Sequence, residues 1–149
     1  MRETASATER IRLRRGRRSD LPRVRALLPG ETPPRRERFD RRTLATLAGD
    51  VYVAESAGGE IVGVVSVGYL RSLGAGRFEA ILDTAHTRNA ADAPLLDRLI
   101  AFAEARARRR GCRRLAAWPG STEPVLRAAL ESRGYCGGTL LVAELGEVG

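Results

Sequence analysis

One segment constrains this chain more than any other: "APLLDRLIAFAEARARRR", Ala93 to Arg110. Leu95, Leu96, Leu99, Ile100 and Ala103 recur at helical spacing and make a single apolar stripe. Asp97, Arg98, Glu104, Arg106 and Arg108 fall outside it, which predicts a long amphipathic helix with one wet side. Gly111 supplies the stop, and "CRRLAAW" follows as a buried strand.

The segments before the helix read mostly as strands. "RIRLRRGRR" alternates Ile11 and Leu13 with arginines, the period of a half-buried strand. "SDLPRVRALL" starts a helix: Ser19 or Asp20 can cap it, Pro22 is tolerated in the first turn, and Leu21, Val24, Leu27 and Leu28 share a face. "ETPPRRERFDRRTLATLAGD" begins as a Pro-rich loop and ends as a short helix anchored by Phe39, Leu44 and Leu47. "VYVAES" and "EIVGVVSVGYL" are strands joined through Ala57, Gly58 and Gly59, a hairpin signal. "RFEAILD" is a further strand, antiparallel to its predecessor if "RSLGAG" is a simple turn. Beyond the long helix, "STEPVLRAALESRGY" is a second amphipathic helix ending at Gly134, and "CGGTLLVAEL" closes the sheet.

A length of 149 residues with 43% hydrophobic content supports one core. The expectation is a flexible tail over residues 1–9 and a single domain over 10–149. No stretch approaches a membrane span of ~20 apolar residues, and the polar start lacks a secretory signal, so a cytoplasmic location is expected. Cys112 and Cys136 read as reduced core thiols, because His86 is the only histidine and no metal cluster can be assembled from them. The 26 basic residues, all arginine, outweigh 18 acidic ones for a net charge of +8. That field draws in nucleotides, acidic partners or nucleic acid non-specifically. A nucleic-acid role ranks below a solvated arginine cluster at a helix C-terminus, since nothing resembles a helix-turn-helix and only 5% of residues are aromatic.

Together, "IRLRRGRRSDLPRVRALL", "VYVAESAGGEIVGVVSV", "LLDRLIAFAEARARRRGCRRL" and "LRAALESRGYCGGTLLVAEL" resemble the GNAT (acyl-CoA N-acyltransferase) family over nearly all of Arg10 to Leu145. The resemblance implies an α/β (α+β) fold with a mixed, mostly antiparallel sheet of six to seven strands flanked by about four helices. It also implies acetyl-CoA as cofactor, no metal, an amine as acceptor, and a glycine-rich loop whose amides hold the cofactor's pyrophosphate at the start of the long helix. Aligned without a gap, that loop corresponds here to Thr87, Arg88, Asn89, Ala90, Ala91 and Asp92, and the resemblance adds Leu82 on the preceding strand to the cofactor-binding residues. Every glycine of the pattern is missing.

If Asp92 is the N-cap, its side chain takes amides that a phosphate needs, and Pro94 deletes another donor. If the helix starts at Asn89, Asp92 puts a negative charge in the first turn. Either way one lost charge-assisted hydrogen bond costs about 1–3 kcal/mol, a factor of ten or more in affinity. The plainer reading of Asn89, Asp92 and Pro94 is a well-capped helix. The family's tyrosine acid aligns with Leu130, which carries no proton to give, leaving water or Tyr135 for that role. Glu79 is the best candidate base by resemblance, with Asp83 and His86 behind it; alternation leaves open whether Glu79 faces the cleft. Trp118 either lines the pantetheine slot or packs as core.

The function expected is that of an acetyltransferase-like protein with a degraded cofactor loop and acid. Its activity is then weak, or the fold serves as a binding or regulatory module, with a homodimer or another protein as partner. The alternative is an active N-acetyltransferase acting on a small amine or protein amine through an altered cradle in which Arg88 supplies charge.

Overall fold

The computed structural model describes residues 10–28, 49–74, 76–117 and 124–137. Five strands form one sheet in the order β1 (Arg12–Arg15), β2 (Gly49–Glu55), β3 (Ile61–Ser72), β4 (Arg77–Thr87) and β5 (Leu115–Ala117). The first four run antiparallel, and β5 joins β4 in parallel. Three α-helices accompany them: α1 (Leu21–Leu27), α2 (Ala93–Arg109) and α3 (Pro124–Ser132). The short helix expected before Asp50, Trp118, and nearly all of the closing strand from Cys136 lie outside the described residues. Five strands and three α-helices are therefore what the described residues supply of the six to seven and four expected.

The sheet buries both faces. Leu95, Leu96, Leu99, Ile100 and Ala103 of α2 pack on Ala54, Val65, Val67, Ala80, Leu82 and Ala85, joined by Leu126 and Leu130 of α3. On the other face, Leu21, Val24 and Leu27 of α1 cover Val51, Val53, Ile61 and Val64. Gly63 lets α2 settle onto β3: a Cβ there would stand 3.1 Å from Leu99 Cδ1 and 3.3 Å from the Ala54 Cβ. The β2–β3 turn falls on the expected residues, with Gly59 at φ +80 and its N–H donating to the Ser56 carbonyl at 3.0 Å. The left-handed conformation there is one that glycine adopts without steric penalty.

Several local expectations change. Asp20 stands at the N-cap position of α1, yet its side chain makes no cap hydrogen bond. Its carboxylate, almost fully buried, instead accepts from Arg14 at 2.8 and 2.9 Å, from Arg23 at 2.8 Å and from the Arg17 amide at 2.7 Å. Three donors suit a buried carboxylate better than one helix amide does. Cys112 is buried, but Cys136 is exposed and so is not a core thiol. Glu104 and Arg106 are half-buried rather than open to water, because a neighbour covers part of each. Glu104 meets Arg133 and Tyr135, just beyond α3, at 2.8–3.1 Å. Arg106 folds down over the Tyr52 ring, 5.5 Å from its centroid.

That fold of Arg106 completes a cluster around Asp50, which is 1% exposed. Tyr69 donates its hydroxyl to Asp50 at 2.7 Å, Arg15 approaches at 3.1 Å, Arg106 at 3.3 Å and Arg110 at 3.7 Å. Burial works to raise the Asp50 carboxyl, but the hydrogen bonds from Tyr69, Arg106 and Arg15 outweigh it and hold the group below the usual carboxylate range. The network ties β1, β2, β3 and the end of α2 together.

Candidate functional site

The residues singled out from sequence meet where β4 ends and α2 begins. A bulge at Asp83 shifts the β3–β4 register, so that Val67 faces Leu82 and Ser66 faces Thr84. Pairing of β4 with β5 covers Ala80 to Leu82 against Leu115 to Ala117. From Asp83 to Thr87, β4 continues with no β5 partner among the described residues. A strand edge of this kind presents backbone donors and acceptors for another chain or a ligand.

The loop that follows uses its own polar groups. The Arg88 amide donates to the Val62 carbonyl at 2.8 Å, and Thr87 Oγ1 donates to the Asn89 carbonyl at 2.8 Å. The Ala91 amide is held by Asn89 Oδ1 at 3.0 Å, the Asp92 amide by the Asn89 carbonyl at 2.9 Å and the Ala93 amide by the Ala91 carbonyl at 2.9 Å. Pro94 has no N–H. Asp92 is the N-cap of α2: its Oδ1 accepts from the Leu95 amide at 3.2 Å and its carbonyl from Leu96 at 3.1 Å. Each amide from Ala91 to Leu96 thus has an acceptor within the chain. Sequence left two places for the helix start; the observed one is Asp92, and Asn89 closes the turn before it.

The other candidates separate. Ala90 is exposed, and Arg88 reaches away to Glu60 on the β2–β3 hairpin, 2.9 Å from Arg88 Nη1, with both side chains more than half exposed. Leu82 is buried in the core beneath α2, opposite Ala117, the last described residue of β5. Since Ala80 and Leu82 point toward α2, alternation puts Glu79 on the α1 side of the sheet. There it lies 3.6 Å from both Arg77 and Arg114, a carboxylate flanked by two cations. His86 is seven residues further along the strand, about 23 Å away, too far to share a proton with Glu79. Leu130 is 3% exposed and packed in the core, as its leucine side chain demands. The Tyr135 hydroxyl donates to Glu104 Oε1 at 3.1 Å, and burial, then the Glu104 charge, push its ionisation well above the ordinary tyrosine range. Among the described residues no group of three or more histidine, cysteine or acidic side chains could hold a metal, and no helix is long and apolar enough to cross a membrane.

Neither a family model nor a curated protein matches the sequence. Solved structures do. A transcriptional regulator from Bacillus halodurans C-125 superposes with a TM-score of 0.77 at 20% identity, over 90% of this chain and 98% of that one. A putative acetyltransferase from Agrobacterium tumefaciens gives 0.73 at 19% identity, over 91% and 99%. The aminoglycoside 6'-N-acetyltransferase AAC(6')-Ih from Acinetobacter baumannii gives 0.73 at 12% identity, over 93% and 99%. The fold is that of the GNAT acetyltransferases. No signal in the sequence marked Asn89 as the acceptor for Ala91, although an Asn two residues before an amide is a recurrent turn pattern.

Proposed function

We propose that this chain is a GNAT-fold, acetyltransferase-like protein whose pyrophosphate cradle has been given over to helix capping, so that it binds acetyl-CoA weakly and serves as a binding or regulatory module. The observation that carries this reading is the complete pairing of the amides from Ala91 to Leu96. A helix start attracts phosphate because its first N–H groups are unpaired and carry partial positive charge. Here those donors are committed, and the Asp92 carboxylate adds like charge where a pyrophosphate would dock. The residues present do not fit that group. Leu130 in the acid's position and Glu79 between two arginines support the same reading.

Calorimetric titration with acetyl-CoA and with CoA tests it. The expected result is no saturable binding in the micromolar range, and a gain of about tenfold or more for the Ala90→Gly, Asp92→Gly double variant, since removing the carboxylate frees the Leu95 amide. Micromolar binding by the unaltered chain would overturn the proposal.

A second reading, an active transferase for a small or protein amine, is favoured by two observations. The β4 edge beyond Leu82 is unpaired among the described residues, and Arg88 is held only by an exposed ion pair worth about 0–1 kcal/mol, so it can swing to an anion at little cost. Thiol release from acetyl-CoA in the presence of aminoglycosides, polyamines or N-terminal peptides decides between the two.

A further inference from the structure

We propose that the trough between β1 and α2 docks an acidic peptide segment of a partner protein, bound in extended form along the outer edge of β1. The trough has a volume of about 730 Å³ and is lined by Arg10, Ile11, Arg12, Leu13, Arg98 and Phe102. Its floor is apolar: Ile11, Leu13 and Phe102 are only partly buried, and the Phe102 ring is fixed against Tyr52 with centroids 4.6 Å apart. Its rim is cationic. Arg10 and Arg98 have no ion-pair partner among the described residues, and Arg12, 71% exposed, meets Glu55 only at 4.0 Å. No carboxylate lines it; Asp97, the acid next to Arg98 in sequence, is turned to Arg133 at 2.7 Å.

The geometry selects the occupant. β1 ends the sheet, and no described strand pairs with its outer edge. Its backbone there can extend the ladder with one more strand, the commonest way a sheet edge captures a peptide. A strand presents alternate side chains to one face, so a peptide alternating acidic and β-branched residues would set its apolar side chains on Ile11, Leu13 and Phe102 and its carboxylates on the opposite face, against Arg12 and the neighbouring Arg10. A second copy of β1 is disfavoured, because it would bring Arg10 and Arg12 against their own kind. Nucleic acid would satisfy the rim but leave the apolar floor unmatched.

The experiment uses the full chain and three fluorescein-labelled probes in anisotropy titrations: a peptide alternating glutamate and valine, one alternating glutamate and serine, and a short DNA duplex. The glutamate–valine peptide is expected to bind about tenfold more tightly than the glutamate–serine peptide. Combined Arg10→Glu and Arg12→Glu, both at exposed positions, should weaken it by about tenfold or more. Amide exchange of residues 10–13 should slow in its presence. Equal binding of the two peptides, indifference to the charge reversal, no binding at all, or duplex DNA competing for the same residues would each overturn the proposal.

Discussion

Asp50 offers the sharpest test of how this fold is held. Replacing it with alanine removes the acceptor of the Tyr69 hydroxyl and leaves Arg15, Arg106 and Arg110 clustered around an empty position. Removing one partner of a buried ion pair costs about 3–5 kcal/mol, because the charge left behind loses its compensation. The three guanidiniums keep between 24% and 36% of their side-chain surface in water, which places Asp50→Ala at the lower end, about 3 kcal/mol. With an unfolding entropy of about 2.1 cal/mol/K per residue, that lowers Tm by about 10 °C for a chain of this length. Asp50→Asn keeps the volume and an acceptor for Tyr69 and should lose about half as much. Urea unfolding at pH 7 reads both, and a cycle with Arg106→Ala should return a coupling of about 1–3 kcal/mol. A loss under 1 kcal/mol for Asp50→Ala, with an unchanged denaturant slope, would refute the reasoning and make the cluster a solvated surface feature.

Two further outcomes follow from the packing. Glu104 is held below its ordinary range chiefly by its hydrogen bonds from Arg133; its contribution is complete above the unfolded value near pH 4.3 and is lost as pH falls through the lower folded value. Glu104→Gln should therefore cost about 1–2 kcal/mol at pH 7 and progressively less as the pH is lowered below the unfolded value, measured as urea midpoints across that range. Gly63→Ala forces a methyl to 3.1 Å from Leu99 and 3.4 Å from the His86 carbonyl, and should lower stability by about 1–3 kcal/mol in the same assay without altering secondary structure by circular dichroism.

The parts of this fold that sequence revealed are those whose signal is local. The α2 stripe declares itself through spacing alone, and Leu95, Leu99, Ile100 and Ala103 are at most 1% exposed. The β2–β3 hairpin is announced by its turn residues, and the β3–β4 pairing by the short loop between them. What escaped is long-range. Asp50 lies 35 residues from Arg15 and 56 from Arg106, so no window of sequence unites them, and Arg106 read as a solvent-facing cation. Glu104 was misplaced for a related reason: a helical wheel shows which residues are apolar but not where a second helix will lie. At the α2 mouth, the missing glycines and the cap could be read, whereas the engagement of Ala91 by Asn89 depends on backbone angles that composition does not encode.

The three-residue seam between β4 and β5 has a consequence for how the molecule breathes. Strands β2 to β4 are stitched by neighbouring turns, while among the described residues β5 pairs with the sheet only through Ala80, Ile81 and Leu82, and α3 is held by Leu126 and Leu130 and, just past its end, by Arg133 and Tyr135 on Glu104. Such an appendage opens before the meander does. Opening at that seam would bare the flank of α2 that Leu126 and Leu130 cover, while the Asp92 cap and the Asp50 anchor stayed fastened.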